Sequence, residues 1–69
     1  MSSANELFAA ALEAQVDEDQ EGALELYGKA LEAPGGAAQA RIWEKRSACH
    51  GALGRWMQAL ADATKAAEL

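Results

Sequence analysis

The sequence predicts an all-α fold of four short helices that form two antiparallel helical hairpins. Strong helix formers dominate the chain, since 18 of its 69 residues are alanine and only three are β-branched. Apolar residues recur at the spacing of amphipathic helices. The order helix, turn, helix occurs twice, on either side of a single strong break at Pro34-Gly35-Gly36.

The first hairpin follows from its cap residues. Ser2 or Ser3 can cap a helix over residues 4–15, and Asp19 can cap a second helix over residues 20–32. The acidic segment between the two helices predicts a turn. One apolar face per helix supports both assignments: Leu7, Ala11 and Ala14 in the first, and Leu24, Tyr27 and Leu31 in the second.

The second hairpin begins after the glycine break. A third helix is predicted over residues 37–52, with Gly51 and Gly54 marking its end. A fourth helix is predicted from about residue 56 to the end of the chain. A shared face again supports the third helix: Trp43, Ser47 and His50.

Composition excludes several classes of function. Six basic and eleven acidic residues give a net charge of −5, which disfavours nucleic-acid binding. The sequence has no apolar run of membrane-spanning length and no secretory signal at its start. We therefore expect no membrane association and a cytoplasmic, or cytoplasmic and nuclear, localisation.

The chain has one cysteine and one histidine, too few for a Cys/His metal site, and we expect neither a metal nor a cofactor. Cys49 and His50 are adjacent, so on a helix their side chains point about 100° apart. This argues against a nucleophile and its base, and favours a small buried thiol beside a packed ring. We expect the protein not to be an enzyme.

Charge is unevenly distributed along the chain. Residues 1–33 carry a net −7, and residues 34–69 carry a net +2. Two interpretations remain open: ordinary solvated surfaces, or a dipolar module that associates head to tail or attracts an acidic partner.

An internal repeat indicates the architecture. A shift of 36 residues places Ala23-Leu24 on Ala59-Leu60, Lys29-Ala30 on Lys65-Ala66, and Glu32 on Glu68. We therefore expect residues 1–69 to form a single domain, with residues 4–33 as the first repeat and residues 37–69 as the second.

The two hairpins resemble tetratricopeptide repeats, helical hairpins of about 34 residues in which bulky and small residues alternate at set places. The matching residues are Leu7, Ala11, Ala23, Tyr27 and Pro34 in the first hairpin, and Trp43, Ser47, His50 and Ala59 in the second. Small residues should let the helices approach, while larger ones, including Tyr27, Trp43 and Leu53, fill the gaps. We expect Trp56 to pack in the core as well. The resemblance implies an α-solenoid.

Three segments, residues 17–32, 45–50 and 61–63, resemble the N-terminal repeat domain of Sgt-type co-chaperones. That family links a ninety-kilodalton heat-shock chaperone to Skp-type ubiquitin-ligase adaptors. The resemblance implies binding to a Skp-type adaptor or a chaperone complex and, as in some members, self-association.

Many repeat co-chaperones bind an acidic chaperone C-terminus through Lys and Asn side chains on the inner face of the first helix of each repeat. Such places hold Phe8 and Leu12 in the first hairpin and Lys45 in the second. Phe8 and Leu12 cannot donate hydrogen bonds, so we expect no such clamp. Periodicity instead predicts an apolar and basic partner-binding face. Alternatively, Phe8 and Leu12 belong partly to the core and the cations merely solvate the surface. The residues predicted for this face are Asn5, Phe8 and Leu12 on the first helix and Arg41, Glu44 and Lys45 on the third.

The last helix ends on apolar residues, namely Ala63, Ala66, Ala67 and Leu69. Solenoids expose apolar surface at their end unless a polar capping helix follows. We therefore expect the chain to be a fragment of a longer protein, the alternative being burial by another copy or a partner. The favoured function is a non-catalytic protein-interaction module resembling a co-chaperone and ubiquitin-ligase adaptor. The alternative is a homodimerisation module of a larger protein.

Overall fold

Four α-helices of equal length make up the computed structural model, which describes residues 2–69. No strand occurs within that range, and the all-α prediction is confirmed. A short 3₁₀ turn, Gly36–Ala38, lies between the second and third helices. The helices are α1 (Ala4–Val16), α2 (Gln20–Glu32), α3 (Ala40–Ala52) and α4 (Trp56–Glu68).

Side-chain caps fix the starts of α1 and α2, as predicted. Ser3 accepts a 3.2 Å hydrogen bond from the backbone N–H of Glu6, whose carboxylate accepts one of 3.1 Å from the Ser3 N–H. This reciprocal pair is a capping box. Asp19 accepts a 3.0 Å bond from the N–H of Gly22 and caps α2.

The third helix begins later than predicted, at Ala40 rather than residue 37. Gly35 has a left-handed backbone with φ of +80°, and the chain then forms the 3₁₀ turn before α3 starts. Gly36 is pressed against α2, since a Cβ there would lie 1.8 Å from the carbonyl oxygen of Ala30. The break therefore serves as a tight inter-hairpin joint.

The helices pack in chain order: α1 against α2, α2 against α3, and α3 against α4. The two predicted hairpins, α1 with α2 and α3 with α4, are thus confirmed. The contact between α2 and α3 joins them. None of the helices in residues 2–69 is long and apolar enough to span a membrane. The core consists of seven buried residues: Phe8, Ala11, Ala23, Tyr27, Ala30, Ile42 and Cys49.

Tyr27 fills the centre of this core, as the bulky-and-small pattern predicts. It is fully buried between α1 and α3, and its hydroxyl donates to the side-chain oxygen of Gln15. Burial, helped by the nearby Cys49, raises the pKa of Tyr27 to about 12. The ring therefore stays neutral across the physiological range.

Two large residues assigned to packing prove to be exposed. Leu53 is 36% exposed and Trp56 is 70% exposed, so the expectation that they fill gaps in the core is wrong. Leu53 is the C-cap of α3, and Trp56 is the first residue of α4, whose buried positions are Asp62 and Ala66 further along the helix. The Trp56 ring reaches only the end of α3, near Gly51. Trp43, by contrast, is half-buried, and its indole N–H donates to the Ala37 carbonyl at 2.9 Å.

Candidate functional site

One of the predicted partner-binding residues, Arg41, contacts two of the others. Arg41 on α3 donates a 2.7 Å hydrogen bond to the side-chain oxygen of Asn5 on α1. Its guanidinium carbon also lies 4.7 Å from the centre of the Phe8 ring, within cation–π range. A 3.0 Å bond from Arg41 Nε to Gln39 Oε1 fixes the other edge of the guanidinium group. Arg41 thus bridges α1 and α3.

The apolar members of the predicted face belong largely to the core. Phe8 is buried, and its ring packs on Tyr27 with 5.9 Å between centroids. Leu12 is half-buried and packs against the same cluster. The buried Phe8 ring therefore packs beneath the Arg41 guanidinium group. This face exposes less apolar surface than the sequence predicts.

The charged members of the face are exposed on α3. Glu44 and Lys45 follow Arg41 by three and four residues, the spacing of helix neighbours. Within residues 2–69, carboxylates form ion pairs with Lys29, Arg46 and Arg55, but none lies within ion-pair distance of Arg41 or Lys45. We call Asn5, Phe8, Leu12, Arg41, Glu44 and Lys45 together the inner face.

A buried charge cluster that the sequence did not reveal lies between α3 and α4. Asp62 is almost fully buried and accepts two hydrogen bonds from Arg46, of 2.7 and 2.9 Å. Arg46 also lies over the Trp43 ring at 5.1 Å. In the sequence, Asp62 lies at helical spacing between Ala59 and Ala66, and Ala66 is buried. This spacing was the one pattern that could have predicted a position for Asp62 between the helices. The cluster ties α4 to α3.

His50 completes the cluster from α3. Its Nε2 lies 3.7 Å from an Asp62 oxygen, and its Nδ1 is buried without a hydrogen-bond partner among the described residues. Burial lowers the pKa of His50 below its ordinary 6.5, and Arg46 and Arg55 act in the same direction, against the opposing pull of Asp62. The imidazole is therefore held neutral at pH 7.

Cys49 points away from His50, toward α2. Its thiol donates to Gln20, at 3.3 Å to the backbone oxygen and 3.0 Å to the side-chain oxygen. Burial raises the pKa of the Cys49 thiol, with Glu21 adding to the effect. Both observations match a structural thiol. Residues 2–69 also contain no group of three or more His, Cys, Asp or Glu side chains placed to hold a metal ion.

Comparison with known proteins places this fold in context. No protein-family model matches the sequence, and no solved structure matches it. The chain is 43% identical over 68 residues to a protein from Oryza sativa subsp. japonica described as an SGT1 homolog. The match covers 99% of this chain but 18% of the relative, so the chain spans less than a fifth of that protein's length. The chain, with its two helical hairpins, is thus similar over almost its whole length to one segment of an SGT1 homolog.

Proposed function

We propose that this chain is a non-catalytic protein-binding module that contacts its partner through the inner face. Its two repeats, residues 4–33 and 37–69, would act as one domain over residues 1–69. The observation that carries the proposal is the Arg41 bridge, in which a cation without a carboxylate partner is fixed between Asn5 and the Phe8 ring.

This arrangement suits recognition of an acidic or carbonyl-rich segment. Arg41 is held in place before a partner arrives, so little side-chain entropy remains to be lost on binding. Lys45 lies one turn further along α3 and supplies a second cation. Phe8 and Leu12 cannot donate hydrogen bonds, so recognition would differ from the clamp of Lys and Asn side chains that many repeat co-chaperones use.

The partner class follows from the resemblance to Sgt-type co-chaperones and from the SGT1 relative. We propose a Skp-type ubiquitin-ligase adaptor or a chaperone complex as the partner. Cytoplasmic localisation, with access to the nucleus, is part of the same proposal.

Calorimetric titration of the chain with a Skp-type adaptor tests this proposal. The double variant Arg41→Glu/Lys45→Glu should weaken binding at least about tenfold, because it reverses both cations of the face. Lys65→Glu is the matched control, since Lys65 is an exposed cation on α4, away from the inner face. It should leave the affinity within about twofold.

Two results would contradict the proposal. One is an adaptor that does not bind the wild-type chain. The other is an equal loss of affinity in the control and the double variant, which would indicate a general charge effect rather than a site. Circular dichroism of each variant verifies that its helices are intact.

A further inference from the structure

Arg41 is held by two neutral side chains, and one of them, Gln39, lies outside the inner face. The Nε–H of Arg41 donates to Gln39 Oε1 at 3.0 Å, and an Nη2–H donates to Asn5 Oδ1 at 2.7 Å. Both acceptors are amide oxygens, which carry no net charge. They therefore fix the direction of the guanidinium group without neutralising its positive charge.

The two bonds use one edge of the guanidinium group. The buried pair shows which edge this is, since Arg46 presents the same two atoms, Nε and Nη2, to the two oxygens of Asp62. On Arg41 this edge is occupied by Asn5 and Gln39. An arginine has five N–H groups, so two on Nη1 and one on Nη2 remain, and the outer pair forms a fork. Such a fork binds a carboxylate through two parallel hydrogen bonds.

The surroundings of Arg41 leave this fork accessible. The Phe8 ring lies 4.7 Å from the guanidinium carbon and covers one side of the group. Phe8 is buried and packs on Tyr27, so the ring is itself fixed by the core. Arg41 is exposed, and no carboxylate among residues 2–69 lies within ion-pair distance of it, Glu44 included. The outer edge therefore faces solvent.

The joint between the hairpins places Gln39. Its backbone N–H donates to the Gly36 carbonyl at 3.0 Å, and its own carbonyl accepts a 3.0 Å bond from the N–H of the buried Ile42. Gly36 is in turn pressed against the Ala30 carbonyl. The half-buried Gln39 side chain therefore extends from a fixed backbone.

We propose that Gln39 is a positioning residue, which together with Asn5 orients Arg41 so that its outer fork binds a carboxylate of the partner. The inference rests on the proposed function and deepens it, because it names the group that the inner face recognises. That group is the side-chain carboxylate of an aspartate or a glutamate. Two parallel N–H groups match its two coplanar oxygens, whereas a backbone carbonyl offers only one oxygen.

The second cation of the inner face fits a second carboxylate of the same segment. Lys45 lies four residues after Arg41, which is about 6 Å further along the helix axis. Side chains two residues apart on an extended segment are separated by about 7 Å. We therefore expect a partner segment with acidic residues at alternate positions, one for the Arg41 fork and one for Lys45.

The positioning is tested on the free chain, before any partner is added. Nitrogen-edited spectra of the arginine side chains measure how fast the Arg41 Nε–H exchanges with water. Exchange should be about threefold faster or more in Gln39→Leu, because leucine cannot accept the hydrogen bond. Gln58→Leu is the matched control, since Gln58 is an exposed glutamine on α4, and it should leave the exchange unchanged. Equal exchange in the two variants would overturn the positioning.

Calorimetric titration with a Skp-type adaptor tests what the fork recognises. Gln39→Leu should weaken binding about three- to tenfold, because Arg41 would have to be ordered on binding. Gln39→Glu keeps an acceptor for Nε–H but supplies Arg41 with a counter-ion, so it should weaken binding about tenfold. Arg41→Lys keeps the charge and loses the fork, and should weaken binding to a similar extent. Gln58→Leu and Gln58→Glu are the matched controls and should stay within about twofold of the wild type.

Failure of this inference can be distinguished from failure of the proposed function. An adaptor that does not bind the wild-type chain contradicts the proposed function, while the Nε–H exchange still decides whether Gln39 positions Arg41. An adaptor that binds the wild type, is weakened by Arg41→Glu/Lys45→Glu and treats the Gln39 and Gln58 variants alike overturns the role of Gln39 alone. Full affinity in Arg41→Lys would overturn the fork, because a point charge would then suffice.

Discussion

Asp62 links the two helices of the second hairpin, because its buried carboxylate on α4 is paired with Arg46 on α3. Asp62→Asn keeps the shape but removes the charge, so Arg46 would be left without its counter-ion. Since the Arg46 side chain is 25% exposed, we expect a loss of about 2–3 kcal/mol, below the full cost of breaking a buried pair. Urea unfolding followed by circular dichroism measures it.

The exposed pair between Arg55 and Glu21 provides the control. Its atoms are 2.6 Å apart, but the two side chains are 40% and 65% exposed. Glu21→Gln should therefore change the unfolding free energy by about 0–1 kcal/mol. Equal losses in the two variants would show that burial of Asp62 does not matter.

His50 gives the stability a pH dependence of defined sign. The pKa of His50 in the folded chain lies below the ordinary 6.5. At pH values between these two pKa values, the unfolded chain therefore binds more protons than the folded chain. The associated stability is present above pH 6.5 and is lost as the pH falls through the folded pKa. The unfolding free energy of the wild type should fall between pH 7 and about pH 5, and that of His50→Gln should fall less steeply.

Glu6 does not contribute to this change. Hydrogen bonds with Ser3 lower the pKa of Glu6 from 4.5, so Glu6 stays ionised through this pH range. Identical slopes in the two proteins would rule out this role of His50.

At the scale of elements, substitution by alanine should have opposite effects on stability at two glycines. Gly28 lies in α2, and Gly36 lies in the turn between the two hairpins. Gly28 lies inside α2, and a Cβ there would meet nothing within 4 Å. Gly28→Ala should stabilise the chain by about 0.5–1 kcal/mol, through better helix propensity. Gly36→Ala should destabilise it, because the added Cβ would collide with the Ala30 carbonyl and separate the joint from α2. Thermal melts of both variants test the pair, and a neutral Gly36→Ala would contradict the described joint.

Element boundaries were predictable where local chemistry sets them. Ser3 and Asp19 cap helices through their own side chains, so their sequence signal is direct. The start of α3 was predicted too early because the 3₁₀ turn depends on contact between Gly36 and α2, which no local pattern encodes. The prediction that Trp56 packs in the core was wrong for a similar reason. The spacing of bulky residues marks one face of a helix, but it does not show whether another helix covers that face.

At the scale of the whole molecule, the fold was predictable and the surface was less so. The repeat, the alanine content and the glycine break together fix two hairpins. Periodicity also grouped Asn5, Phe8 and Arg41, which do meet. It did not show that Phe8 is buried beneath Arg41, nor that Asp62 pairs with Arg46, because both contacts join different helices. Whether the inner face binds a partner stays a prediction.

The most direct test of the central proposal is an amide chemical-shift map of the labelled chain, titrated with an unlabelled Skp-type adaptor. The proposal predicts that the largest changes fall on residues of the inner face, including Asn5, Arg41 and Lys45, while Leu60 and Ala67 on α4 stay unchanged. Changes confined to α4, or none at all, would contradict it.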